Sequence, residues 1–203
     1  MEGNYIIVSG GYSGEVDTEF FVSMEKYDIA NDTWTTGPSM ETPRAAHSSC
    51  CLGQNFYVFA GRNATGYLNS IEFINENALI NNVNARWELI QVSTDIMMPC
   101  DGVLVAPLNA SQIAILGGYT VSTGPCSGDV RILDVRSKRV NRAATASVQF
   151  SGLFNQCMQY EEGKIVALVK DYSRLLMLTY NFYQNKVELV PKLSGTGEWE
   201  MPF

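Results

Sequence analysis

A unit that recurs four times at roughly fifty residues constrains this 203-residue chain more than any local propensity does. Each copy holds a short apolar run that ends at a glycine doublet or its remnant. The runs are Ile6-Ile7-Val8-Ser9-Gly10-Gly11, Tyr57-Val58-Phe59-Ala60-Gly61, Ile113-Ala114-Ile115-Leu116-Gly117-Gly118 and Ile165-Val166-Ala167-Leu168-Val169-Lys170-Asp171. A second column, an apolar residue before Asp or Asn, reads Tyr27-Asp28, Ile74-Asn75, Leu133-Asp134 and Tyr180-Asn181. A bulky residue follows in each copy: Trp34, Trp87, Val140 and Val187. A unit this small cannot bury its own apolar faces, so it must stack on its neighbours in a repeat architecture.

The apolar runs are short, rich in β-branched and aromatic residues, and bounded by turn residues, which suits buried strands better than helices. They are expected as second strands near residues 6–10, 56–60, 113–117 and 164–169. Third strands are expected around Met24-Tyr27, Ile71-Ile74, Val130-Leu133 and Leu175-Tyr180, and outer strands around Trp34, Trp87, Val140 and Val187. Innermost strands fall at Ala46-Leu52, Gly102-Ala106 and Leu153-Tyr160. No stretch has amphipathic-helix periodicity, and the Asn-rich excursion from Asn75 to Arg86 reads as a polar loop without fixed structure.

These columns resemble the kelch repeat. Gly10-Gly11, Tyr27, Trp34 and Pro43-Arg44-Ala45-Ala46-His47-Ser48 match its pattern closely, and the fourth copy has lost both glycines and tryptophan. The resemblance implies one four-stranded antiparallel blade per repeat around an axis. The expected fold is therefore all-β: a kelch-type β-propeller or incomplete propeller arc of about four blades, near 1–40, 41–95, 96–145 and 146–192, with a tail at 193–203. Trp34, Trp87, Tyr27, Phe59 and Leu116 are expected to be mostly buried, with either tryptophan costing ~3–5 kcal/mol on truncation to alanine.

Counting strands leaves the first blade without an innermost strand, because Met1 stands directly ahead of its second strand. Three completions are open: the tail Gly197-Phe203 pairs there, another chain completes the arc, or the sequence is a fragment of a longer propeller.

Composition narrows the function classes. Net charge is -7, against nucleic acid or anionic membrane as the main partner. No segment approaches the ~20 apolar residues of a membrane-spanning helix. Met1-Glu2-Gly3-Asn4 lacks the features of a secretory signal. Cys50, Cys51, Cys100, Cys126 and Cys157 are odd in number and form no CxxC, so they read as reduced structural thiols in a cytoplasmic protein.

Catalytic chemistry finds little support. His47 is the only histidine and reads as structural; one histidine supports neither a zinc site nor a copper-radical centre of the kind some kelch-like oxidases carry. No nucleophile elbow surrounds Ser48 or Ser49. Sialidase-type Asp boxes are absent. Glu161-Glu162 sits in a turn, and Gly195-Thr196-Gly197 is too short for a phosphate loop. No cofactor, metal or catalytic residue is expected.

What remains is a loop surface. The loops Tyr12-Phe21, Arg62-Asn69, Tyr119-Ser127 and Asp171-Ser173, with the inter-blade loops Thr35-Pro43, Gln91-Pro99 and Ala143-Gln149, emerge on one face. Tyrosine and arginine are common interface anchors, which makes Arg44, Arg62, Tyr67, Tyr172 and Arg174 the candidate partner-binding residues. Tyr12 and Tyr119 lean toward a structural role. Glu15, Asp17, Glu19, Glu41 and Asp95 form an acidic rim that favours a basic protein segment. The expected function is a non-catalytic protein-protein interaction module. Beside it stand a degenerate fragment needing another chain, homo-oligomers or partners docking on exposed blade edges by strand pairing, and, more remotely, an enzyme using the funnel.

Overall fold

The computed structural model describes residues 5–14, 19–81, 85–120, 124–125, 127–171 and 174–191, with backbone alone at 125, 127, 148, 151–160, 170–171, 174–176 and 190–191. Antiparallel strands dominate, as the periodic columns require. The first sheet has three strands, Tyr5–Ser9, Met24–Asp28 and Thr33–Thr36, in that order. The second has four, running from the inside as Ser48–Leu52, Asn55–Phe59, Ile71–Asn75 and Glu88–Ile90. Register repeats between the two: Ile6 lies opposite Tyr27, as Phe56 lies opposite Ile74. All four second strands occupy the stretches that the apolar runs predict. Among the described residues the first sheet has three strands, and the tail Gly197-Phe203 lies outside them.

The third and fourth repeats are joined more tightly than predicted. Leu104–Asn109, Gln112–Leu116 and Ser127–Asp134 are followed by one strand, Arg139–Glu161, of 23 residues. It pairs with Ser127–Asp134 as far as Phe150, and from Ser151 with Lys164–Asp171. Arg174–Asn181 and Lys186–Pro191 complete a seven-stranded sheet. The predicted loop Ala143-Gln149 is therefore strand. The first two linkers carry Pro38, Pro43 and Pro99, whereas the stretch from Arg139 to Glu161 has no proline and one glycine, Gly152. Without breakers, the outer strand of one blade runs on as the inner strand of the next.

The Asn75 to Arg86 excursion also differs from expectation, because Glu76–Asn81 is a short helix. Asn75 accepts the Asn77 backbone N–H at 3.0 Å, as an N-cap residue does, and Glu76 suits the first turn. Leu79 plugs into the core beside Phe56, Ile74 and Trp87.

The core is a series of layers between sheets. Met24, Met40, Phe56, Val58, Ile74, Leu79 and Trp87 fill the first layer. Tyr57, Phe59, Ile71, Phe73, Val103, Val105, Ile113, Ile115 and Leu133 fill the second, while Leu104, Leu116, Val130, Phe150, Ile165, Leu178 and Tyr180 lie in the third. Alternation along each strand sends successive residues to different layers. Phe59, Leu116 and Trp87 are buried as expected.

Trp34 is not buried: it is 55% exposed, and Tyr27, tilted against it with 5.0 Å between ring centroids, is half-buried. Trp87 occupies the same column but lies between two sheets; Trp34 lies on the outward face of the first. Trp87→Ala should therefore cost ~3–5 kcal/mol, whereas Trp34→Ala loses little beyond its ring contact, ~0.5–1.5 kcal/mol. Urea denaturation of both variants checks this; equal losses would contradict the layer assignment.

Candidate functional site

The glycine columns dock each repeat on the next. Gly11 N–H donates to the Arg44 carbonyl at 2.9 Å, and Gly61 N–H donates to the Cys100 carbonyl at 2.9 Å. Gly61 sits at φ +95, and a Cβ there would lie 2.7 Å from the Ala45 carbonyl oxygen, so a side chain is excluded by backbone and space together. Ala60, the remnant of the first glycine, keeps φ 56.

Beyond the glycines the chain folds into two-residue hairpins. Tyr12–Ser13 pairs with Glu19–Phe20, Arg62–Asn63 with Gly66–Tyr67, and Tyr119–Thr120 with Gly124–Pro125. Tyr12 is 56% exposed and Tyr119 38% exposed, so both tyrosines read as structural in the sequence present much of their surface to solvent. Isolated bridges, Ala45 to Arg62 and Asp101 to Tyr119, tie two hairpins to the start of their own blades.

Arg62 pairs with Asp101 at 3.6 Å while keeping 41% of its side chain exposed, and Tyr67 lies opposite it, half-buried. Burial raises the Asp101 carboxyl above its ordinary pKa, with Arg62 opposing. Arg44 is a different matter: it is fully buried and cannot serve as a docking anchor in this fold. Its guanidinium donates to the Glu72 carboxylate at 2.5 Å and to the Ala60 carbonyl at 2.7 Å. Glu72, also buried, accepts the backbone N–H of Glu41 at 2.8 Å and of Thr42 at 3.1 Å. Burial pushes the Arg44 guanidinium below its ordinary value, and Glu72 opposes that shift. Tyr172 lies outside the described residues, and Arg174 is placed by backbone alone on its strand.

Sequence reading missed a groove on the same end. A cavity of about 350 Å³ opens between the linker of the second and third repeats and the outer strand of the third, lined by Asp95, Met98, Asp129, Arg142, Thr145 and Gln149 among others. Arg142 pairs with Asp129 at 3.1 Å, donates to the Asp95 carbonyl at 3.2 Å and remains 52% exposed. No columnar motif marks Arg142, because linker and strand meet only through folding. Of the acidic rim, Glu19, Glu41 and Asp95 are exposed; Glu15 and Asp17 lie outside the described residues.

His47 is largely buried, its Nε2 2.9 Å from the Ser9 hydroxyl. Burial first, and then the Arg44 charge, lower its pKa to about 4. This is a neutral structural histidine, as the sequence suggested. Cys50, Cys51 and Cys100 are thiols, and burial pushes Cys51 up to about 11. Among the described residues no group of three or more His, Cys, Asp or Glu side chains could hold a metal, and no helix is long and apolar enough to cross a membrane.

Comparison with known proteins agrees with this build. The model of the KLHDC2/KLHL20/DRC7 Kelch-repeats domain matches residues 1–168. Human Kelch domain-containing protein 1 is 31% identical over 81 residues, covering 37% of this chain and 20% of that protein. Human Kelch-like protein 4 is 39% identical over 49 residues, covering 24% of this chain and 7% of that protein. The chain thus matches a small part of either relative's length.

Two measurements test the polar centre. Glu72→Ala strands a buried guanidinium and should cost ~3–5 kcal/mol, with Arg44→Met/Glu72→Leu recovering most of the loss in urea midpoints. His47 has a folded pKa of about 4 against the ordinary 6.5 of histidine, so unfolding takes up a proton between these values. Its contribution is full above pH 6.5 and falls away as pH drops toward 4, by about 1–3 kcal/mol, and His47→Gln should flatten that slope.

Proposed function

Because the chain belongs to the kelch-repeat family, we propose that it is a non-catalytic interaction module that takes a protein segment on its hairpin face. Kelch-repeat proteins are generally protein-interaction modules, and a fold alone assigns no chemistry. The observation that carries the reading is convergence. The hairpins of three repeats present Tyr12, Arg62 with Tyr67, and Tyr119, and the groove with Arg142 opens beside them. Aromatic rings and partly exposed guanidiniums supply contact area and directional donors.

The rim residues Glu19, Glu41 and Asp95, with a net charge of -7, favour a partner segment rich in lysine or arginine. Charge complementarity of this kind speeds encounter and weakens with salt. Tyr172 and Arg174 add anchors from the fourth repeat. A cytoplasmic setting accords with the three thiols.

The test uses a basic peptide panel and calorimetry on the whole chain. Arg62→Ala/Tyr67→Ala and Arg142→Ala should each weaken the best binder by roughly tenfold or more, with affinity falling as salt rises. Binding unaffected by all three substitutions, or independent of salt, would refute the hairpin face as the site.

A further inference from the structure

Three repeats join their third and outer strands by the same tight turn, at the end of the sheets opposite the hairpins. The last residue of the third strand caps it. Asp28 accepts the backbone N–H of Ala30 at 3.0 Å and of Asn31 at 3.1 Å; Asp134 accepts those of Arg136 at 3.1 Å and Ser137 at 2.8 Å; Asn181 accepts that of Gln184 at 3.1 Å. A left-handed residue then leads into the outer strand: Asp32 at φ 53, Lys138 at φ 55 and Asn185 at φ 48.

Backbone chemistry accounts for two of these three residues. Aspartate and asparagine tolerate the left-handed region, whereas lysine has no such advantage. The third repeat differs in the rest of its turn as well. It reads Val135-Arg136-Ser137-Lys138-Arg139, against Ile29-Ala30-Asn31-Asp32-Thr33 in the first repeat and Phe182-Tyr183-Gln184-Asn185-Lys186 in the fourth. The second repeat has the helix Glu76–Asn81 in this place, which opens on an acid.

The basic turn is well anchored. Val135 N–H donates to the Ser111 carbonyl at 3.0 Å, and the Ser137 hydroxyl donates to Asp134 at 2.9 Å. Arg136, Lys138 and Arg139 are exposed, and so is Arg86, two residues ahead of Glu88 in the second repeat. Lys138 bridges the two repeats. Its ammonium pairs with Glu88 at 2.5 Å and lies 4.8 Å from the centroid of the Phe73 ring. The pair is 49% and 59% exposed, so it exchanges readily with solvent. Among the described residues, Arg86, Arg136 and Arg139 form no salt bridge.

We infer that this basic corner, Arg86, Arg136, Lys138 and Arg139, is a docking surface for an acidic protein segment. On the turn and the strand beside it, these four cations outnumber Asp134 and Glu88, in a chain of 14 basic and 21 acidic residues. The local field is therefore opposite in sign to the net charge of the molecule. Guanidiniums supply paired donors that match carboxylates. A nucleic acid or an anionic membrane extends past the corner and meets the net charge of -7. A segment with a few Asp or Glu residues stays within about 10 Å, the reach of surface charge at physiological salt. The corner and the hairpin face lie at opposite ends of the strands, so the two proposals fail independently.

Fluorescence anisotropy of a labelled hexaglutamate peptide, titrated with the whole chain, tests it. The peptide should bind, and binding should weaken as salt rises. Arg136→Glu/Arg139→Glu should weaken it by roughly tenfold or more without shifting the urea midpoint, while Arg136→Lys/Arg139→Lys keeps most of the affinity. Arg62→Ala/Tyr67→Ala, on the hairpin face, should leave it unchanged. Lys138→Asn, which suits the left-handed backbone better, should weaken binding without lowering the midpoint. No binding at low salt, affinity indifferent to the Arg136 and Arg139 reversal, or a lower midpoint with unchanged affinity in Lys138→Asn overturns the inference. So does tighter binding of a DNA oligomer or of phosphatidylserine vesicles than of the peptide, which would assign the corner to another polyanion.

Discussion

A small antiparallel sheet with two apolar faces cannot bury either of them alone, and everything else in this protein follows from that constraint. Each inner sheet is an apolar slab that becomes stable only between two others. Phe56 and Val58 look one way along the array, and Tyr57 and Phe59 look the other. The glycine columns matter because they let consecutive repeats approach. At Gly117 a Cβ would lie 2.6 Å from the Phe150 carbonyl oxygen, so even a methyl group would hold the third and fourth repeats apart.

Polar groups complete each seam differently. Between the first and second repeats, Arg44 and Glu72 form a buried ion pair in which Arg44 also donates to the Ala60 carbonyl of the second repeat and Glu72 accepts two backbone amides of the linker. Between the second and third, the position of Glu72 is taken by Arg131. Its Nε donates to the Ile96 carbonyl at 2.7 Å, and its guanidinium pairs with Asp129 at 3.5 Å. Both solutions use a charged side chain to satisfy linker backbone that would otherwise lose its water, since unpaired buried groups are costly. They also set the linkers' path and therefore the edges of the groove beside Arg142.

The division between scaffold and surface is sharp. Arginines at the seams, Arg44 and Arg131, are consumed by structure, whereas Arg62 and Arg142, on a hairpin and an outer strand, keep about half of their surface in solvent. A rigid stack that displays short hairpins at one end is well suited to recognition, because loop residues are positioned without being needed for packing. His47 belongs with the scaffold: its neutrality follows from burial beside a guanidinium.

The sequence alone determined the repeat length, the second strand of each repeat and the family, because strand periodicity and glycine columns are local properties. It placed Phe59, Leu116 and Trp87 in the core for the same reason. It could not separate Trp34 from Trp87, since the two occupy one column and differ only in whether another sheet lies in front. It could not separate Arg44 from Arg62 either; both follow turn residues, and only the partner across the seam, Glu72, removes one from the surface. The helix at Glu76–Asn81 forms because Leu79 finds a pocket supplied by Phe56, Ile74 and Trp87. The groove at Arg142 exists because a linker and a strand more than forty residues apart meet in space. Which faces have neighbours is a property of the assembled stack, and tertiary structure alone decided it, because burial depends on what stands opposite a residue as well as on the residue itself.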